Sequence, residues 1–208
     1  MKNNPSPKDL IKTGTQFAYP TSWPRWEVIH IMIIQFNYKI GVEIGVNNGE
    51  NMFSLLDKGN KKLKMYGVDP YKVQKENCLY EQNINQEYDD ESLAMLKKQV
   101  LKEVLKFPNL EMIIDRSDNA SKQFDKNSID FVFIDGDHSY ESVKNDINCW
   151  APIVQEDGLI MGHDYNWGDV ARAVGEYFTE VWILPDNVWA ASKIWLRNDR
   201  ENINRQKK

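Results

Sequence analysis

Apolar positions along the chain fall into two alternating rhythms. Short runs at 39–44 (KIGVEI), 63–68 (LKMYGV), 110–114 (LEMII), 129–134 (IDFVFI) and 158–162 (GLIMG) are largely apolar throughout. Such runs suit strands buried on both faces. Between them, apolar residues recur at helical spacing and predict helices near 49–58, 90–106, 118–125, 139–152 and 168–178. Strands alternating with helices imply a parallel sheet covered by crossover helices. Ahead of this pattern, Trp26, Val28, Ile29, Met32, Ile33 and Phe36 give a broad apolar face to a helix beginning at Ser22 or Trp23. Pro24 is expected in its first turn, and its end near Asn37. Two aromatic-rich runs, 180–184 and 188–196, are separated only by Pro185-Asp186-Asn187, too short for a helical crossover, so an antiparallel hairpin is expected. The expected fold is therefore α/β: a Rossmann-like doubly wound seven-stranded sheet, five parallel strands plus a C-terminal antiparallel hairpin.

With 208 residues, one domain over 23–196 accounts for this pattern, flanked by an extended arm over 1–22 with Pro5, Pro7, Gly14 and Pro20, and a polar tail over 197–208. Segment 71–91 breaks the rhythm with polar residues and Tyr71, Tyr80 and Tyr88; it reads either as a lid-like insertion or as a solvated loop. A composition 41% hydrophobic and 27% charged excludes a disordered or low-complexity chain. The net charge of -5 leaves no global positive field for nucleic acid and favours a small-molecule partner. Cys78 and Cys149 make neither a disulfide framework nor a four-ligand zinc site, which suits a reducing cytoplasm. The apolar run from Val28 to Ile34 is broken by His30 and too short to span a bilayer, so no membrane partner is expected. A homo-oligomer is compatible with the chain.

The chemistry starts at the first strand. Glu43 ends it, Gly45 makes the turn and Gly49 opens the next helix, an arrangement that lets backbone approach a ligand. The G-x-G-x-x-G of a dinucleotide-binding turn is missing, and an acid beside the turn favours a cation over a phosphate. Asp69 ends the second strand 20 residues beyond Gly49, where doubly wound folds grip ribose hydroxyls. Ser117 and Asp118 follow the third strand, at the level where an adenine would lie, and equally suit the start of a helix. Asp135, Asp137, His163 and Asp164 follow the fourth and fifth strands, expected to be neighbours, so four polar groups should converge on one sheet edge. Oxygen ligands in such a half-open cluster suit Mg²⁺. His138 reads as a packing or capping side chain beside Ser139, and His30 as structural.

The acid-x-Gly-x-x-x-Gly pattern at 43–49 resembles that of class I S-adenosylmethionine (SAM) methyltransferases. The runs Ile129–Glu141 and Asp157–Tyr165, with Asp135-Gly136-Asp137 and Gly162-His163-Asp164-Tyr165 at their centres, resemble the small-molecule O-methyltransferases of that class. The similarity is to the macrocin-type sugar branch related to catechol O-methyltransferase, and it extends over 39–196. It implies SAM as cofactor, with Glu43 near the amino group, the turn Gly45, Asn47 and Gly49 under the methionine part, Asp69 on the ribose, and Ser117 and Asp118 near the adenine. It further implies a divalent metal, Mg or Mn, on Asp135, His163 and Asp164, with Asp135 also bordering the cofactor. The acceptor would be a small-molecule hydroxyl of a sugar, glycoside or phenol. Asp137 is the first choice of base and His163 the second. The chain departs from the family in carrying His at 163, where an acid or amide is usual; imidazole suits Mn²⁺, Fe²⁺ or Zn²⁺ better than Mg²⁺. Two other functions share parts of this pattern: an NAD(P)-dependent oxidoreductase, opposed by the missing glycines, and a non-catalytic SAM-binding module, opposed by the retained acids.

Overall fold

The structure, a computed structural model, describes residues 19–58, 62–72 and 89–197. The expected arm and tail lie almost wholly outside these residues. So does the expected lid, except for Tyr71 and Lys72 at its start and residues 89–91, which open a helix.

Seven strands form one sheet: β1 (Ile40–Ile44), β2 (Lys64–Val68), β3 (Leu110–Ile113), β4 (Ile129–Ile134), β5 (Val154–Gly162), β6 (Trp182–Ile183) and β7 (Trp189–Ser192). Their order is β3-β2-β1-β4-β5-β7-β6. The first five run parallel, and β7 is antiparallel to both β5 and β6. The helices are α1 (Arg25–Phe36), α2 (Glu50–Asp57), α3 (Asp90–Val104), the one-turn α4 (Ser117–Ala120), α5 (Tyr140–Trp150) and α6 (Gly168–Tyr177). The expected fold is the observed one.

Strand alternation builds two cores. Phe131, Phe133 and Met161 enter the layer with α1 and α2, while Val132, Ile134 and Ile160 enter the layer with α5 and α6. On β1, Val42 and Ile44 belong to the second layer, which turns Glu43 towards α2. Helix α1 buries Val28, Ile29, Met32 and Ile33 and ends in a left-handed cap at Asn37 (φ 59°). Pro24 stands just before the helix as its N-cap, not in the first turn, and offers no side-chain acceptor.

Two elements differ from expectation for local reasons. Strand β5 begins four residues early because Asp157-Gly158, which reads as a break, lies in a bulge: Val154 pairs with Ile129 and pairing resumes at Leu159 with Phe131. The helix expected over 118–125 is one α turn continued by a 3₁₀ turn over Ser121–Gln123. It stops there because Phe124 turns extended and packs edge-on against Tyr66 and beside Trp150. The hairpin strands are likewise shorter than the aromatic runs, since Lys193–Trp195 form a 3₁₀ turn. No helix among the described residues is long and apolar enough to cross a membrane.

Candidate functional site

Strand order reverses between β1 and β4, and the carboxyl ends of such strands flare apart to leave a crevice. A cleft of about 880 Å³ opens there, lined from the glycine turn at one end to His163 and Asp164 at the other. Glu43, Gly45, Asn47, Asp69, Ser117, Asp118, Asp135, Asp137, His163 and Asp164 all border it.

The turn after β1 is shaped by close approach. Gly45 has φ 80°, and a Cβ on it would lie 2.2 Å from the Asp135 carbonyl oxygen. Gly49, the N-cap of α2, also has φ 80°, and a Cβ there would collide with the Phe53 ring. Asp69 fastens this turn: Oδ2 accepts the N–H groups of Val46 at 2.9 Å and Asn47 at 3.0 Å, while Oδ1 accepts that of Tyr71 at 2.8 Å. The buried Tyr71 donates its hydroxyl to the Asn47 carbonyl at 2.8 Å. Asp69 thus has a structural task besides the expected ribose contact, and three bonds leave lone-pair capacity for one more donor.

At the floor, Glu43 is 1% exposed and accepts a 2.8 Å hydrogen bond from Asn51 Nδ2 on α2. Burial pushes its pKa up to about 8, with Asp135 adding to the rise and Asn51 opposing it. The other amide atom, Asn51 Oδ1, is buried without a hydrogen-bond partner and borders the cleft. A buried carboxyl that would ionise against a cation, and an orphaned carbonyl oxygen beside it, together suit an ammonium, which supplies three donors. The reading of the sequence missed Asn51, which resembles any polar residue near the start of an amphipathic helix.

At the far wall, the Trp150 indole N–H donates to Ser117 Oγ at 2.8 Å. The Asp146 carboxyl, 6% exposed, also borders the cleft, and burial pushes its pKa up to about 7. Asp118 meets Arg116 Nε at 3.1 Å, and α4 starts at Ser117 with Arg116 as its N-cap, one residue earlier than the helix expected there.

Asp135 and His163 sit one residue beyond their strands, each backbone N–H continuing the sheet: Asp135 to the Ile44 carbonyl and His163 to that of Ile134. Asp164 takes a left-handed φ of 54°. The cluster they form differs from the expected one in its third member. His138 Nε2 lies 2.7 Å from Asp164 Oδ2 and 3.6 Å from Asp135 Oδ1, and these three residues offer ligand atoms within 4.8 Å of one another. His163 stands beside them through Nδ1, 3.2 Å from Asp164 and 3.6 Å from Asp135, while its Nε2 faces Asp186 Oδ1 at 3.8 Å. His138, expected as a packing or capping side chain, packs as expected and also joins the cluster. The Trp167 ring, centred 4.9 Å away, packs against its imidazole and holds it over the cluster. A sequence signal existed in the i, i+3 spacing of Asp135 and His138.

Burial opposes charge on both imidazoles, but Asp135 and Asp164 outweigh it, pushing His138 up to about 9 and His163 upward. Burial likewise opposes charge on Asp164, yet His138 and His163 hold its carboxyl well below the usual range. From α1, Arg25 Nε reaches Asp135 Oδ2 at 3.6 Å, and the Arg25 backbone N–H donates to Asp186 Oδ2 at 2.8 Å. Asp137, the expected base, is exposed, and its Oδ1 accepts the Ser139 N–H at 2.8 Å.

Comparison with known proteins gives the site a context. Among curated proteins, an uncharacterized protein of Acanthamoeba polyphaga mimivirus, R132, is 32% identical over 127 residues, 60% of this chain and half the length of that one. Among solved structures, cofactor-bound Rv0187 from MTB superposes with a TM-score of 0.57 at 12% identity, covering 92% of this chain and 98% of that one. A candidate caffeoyl-CoA O-methyltransferase from Staphylococcus aureus gives 0.54 at 11% identity and 88% of each chain. At such identities these structures speak for the fold. A family model described as a methyltransferase domain matches residues 42–165, a stretch that carries the glycine turn, Asp69, Ser117 and the whole Asp135–His138–Asp164 cluster. The chain belongs to that methyltransferase domain family.

Proposed function

We propose that the protein transfers a methyl group from SAM to a hydroxyl oxygen of a small acceptor, with a divalent cation held by Asp135, His138 and Asp164. The observation that carries this reading is the two-ended cleft. One end offers Glu43 and Asn51 Oδ1 to a cation, and the other gathers two carboxylates and an imidazole at a common point. The donor set fits a metal on its own geometry. His138 Nε2 is buried and near Asp164, yet it makes no hydrogen bond of proper angle, so the two atoms converge as ligands of one ion do. With an imidazole in the set, Mn²⁺ suits it better than Mg²⁺.

When bound, SAM supplies the methyl group, and the cation supplies positive charge that eases deprotonation of an acceptor hydroxyl. The chain's own residues do the rest. Glu43 and Asn51 receive the ammonium, the turn from Gly45 to Gly49 carries the methionine chain, and Asp69 keeps one site for a ribose hydroxyl. Ser117 and Asp118 border the adenine. Such fixing of donor and acceptor supplies most of what a direct displacement requires of a protein. Asp137, exposed beside the cleft, stays the first proton acceptor of the proposal, and His163, whose Nδ1 lies 3.2 Å from Asp164, the second. A sugar or glycoside acceptor and the macrocin-type branch remain part of the proposal, on the strength of the Asp135-Gly136-Asp137 and His163-Asp164 runs.

Calorimetry with S-adenosylhomocysteine (SAH), and methyl transfer from labelled SAM to a panel of glycosides and phenols with and without chelator, test the reading. SAH should bind, chelation should suppress transfer, and D135A, H138A or D164A should abolish metal stimulation while leaving SAH affinity within about threefold. Absence of SAH binding would overturn the reading. Full transfer in excess chelator would remove the metal from it.

A further inference from the structure

Arg25 opens α1, borders the cleft beside the metal cluster and has no part in the scheme above. Its backbone is held in place, with Pro24 before it and its N–H donated to Asp186 at 2.8 Å. Through Nε the guanidinium comes within 3.6 Å of Asp135 Oδ2, too far for a hydrogen bond. Nε is buried and, among the described residues, has no hydrogen-bond partner. Such an unmet donor is costly in a folded protein and marks a place where a ligand can bring the acceptor. Asp186 does not fill that role, since its Oδ2 accepts the backbone N–H and its Oδ1 faces His163 Nε2 at 3.8 Å. The two oxygens of Asp135 look different ways: Oδ1 towards His138 and His163, each at 3.6 Å, and Oδ2 towards Arg25.

We infer that Arg25 selects acceptors carrying a carboxylate one or two carbons from the hydroxyl to be methylated. The inference rests on the function proposed above and narrows its acceptor to a hydroxy acid. With a divalent cation on the Oδ1 side, the Asp135 carboxylate stands between two positive centres and cannot neutralise both. A carboxylate on the acceptor brings the missing negative charge and accepts from the guanidinium, while the neighbouring hydroxyl reaches the cation. The short separation follows from Asp135 itself, because only the width of that one carboxylate divides the cation from Arg25. A guanidinium is a planar fork of five donors, and its shape suits a planar carboxylate. A monoanion also fits better than a doubly charged phosphate, since Asp164 and Asp186, both beside His163, already bring negative charge there.

The test is calorimetric binding of two matched pairs to the full chain saturated with SAH and Mn²⁺: salicylate against salicylamide, and glucuronate against glucuronamide. Within each pair the hydroxyls are the same and only the charge changes. At least one acid should bind on the order of tenfold or more tighter than its amide, as a charge-assisted hydrogen bond implies. The pair with the larger gap tells whether the hydroxy acid is aromatic or a sugar. In R25Q the ratio should fall to within about threefold of unity. In R25K, which keeps the charge but not the planar fork, it should drop at least about threefold. A residue that merely steadied Asp135 would weaken acid and amide together and leave the ratio intact. Equal affinities within both pairs in the wild type, or a ratio unchanged in either variant, would overturn the inference; the second result would put the carboxylate on the cation alone. Failure of the wild type to bind SAH would instead overturn the SAM reading.

Discussion

A fully buried acid is an expensive residue to keep, and Glu43 is one. Its 2.8 Å bond from Asn51 Nδ2 does not offset the loss of water, so at neutral pH the carboxyl holds its proton. An ammonium placed against it and Asn51 Oδ1 would reverse that balance. SAH binding at pH 7 should therefore release close to one proton. Calorimetry in buffers of different ionisation enthalpy would read this directly, and in E43Q the release should vanish while affinity drops about tenfold or more. Equal proton release in both proteins would mean the amino group lies elsewhere. At this scale the sequence was informative wherever a residue stands at a strand end, because strand ends in this architecture point into the crevice. Glu43, Asp69, Asp135, His163 and Asp164 were all legible for that reason. Asn51, Asp146, His138 and Arg25 were not, because each reaches the cleft from a helix or a loop, where no strand end announces it.

Among the elements, α1 begins in an unusual way. Pro24 gives no side-chain cap, and the first helical N–H of Arg25 is satisfied by Asp186, 161 residues away in the β6–β7 turn. That turn can offer its carboxylate because Asp186 and Asn187 take left-handed conformations, with φ of 57° and 52°. D186A should cost about 1 kcal/mol in urea unfolding, as loss of a helix cap does. D186N, which keeps an acceptor oxygen, should recover most of that. A loss in D186N equal to that in D186A would point to the charge, and to His163 Nε2 at 3.8 Å, as the group that matters. The hairpin was readable from the shortness of its connection. The bulge in β5 was not, since Asp157-Gly158 is an ordinary turn signal and only pairing across to Ile129 makes it a strand interruption.

Over the whole molecule, several acid–base groups act on folding in the same direction between pH 5 and pH 8. Glu43 rises to about 8 from 4.5, Asp146 to about 7 from 3.8, and His138 to about 9 from 6.5. Each binds its proton more tightly folded than unfolded. For such groups the stabilisation is complete below the unfolded pKa and is lost as pH rises through the folded one. Ligand-free protein should accordingly lose stability on the order of a few kcal/mol from pH 5 to pH 8, measured by urea unfolding. An E43Q/D146N variant should show a much shallower slope. A wild-type stability that rises across this range would contradict the assignment of these two buried carboxyls as protonated.

The clasp between Arg25 and Asp186 also has a consequence for synthesis on the ribosome. The glycine turn, Asp69, Ser117 and Asp135 are all translated, and their five parallel strands can pair, before the hairpin emerges. Strand β7 then inserts between β5 and β6, and its turn brings the acceptor for the start of α1. A nascent chain stalled just after residue 165 has the glycine turn, Asp69, Ser117 and the Asp135–His138–Asp164 cluster, but the first helix cannot yet be fastened. The side of the cleft that Arg25 closes is finished last, so the helix made first waits for the strands made last.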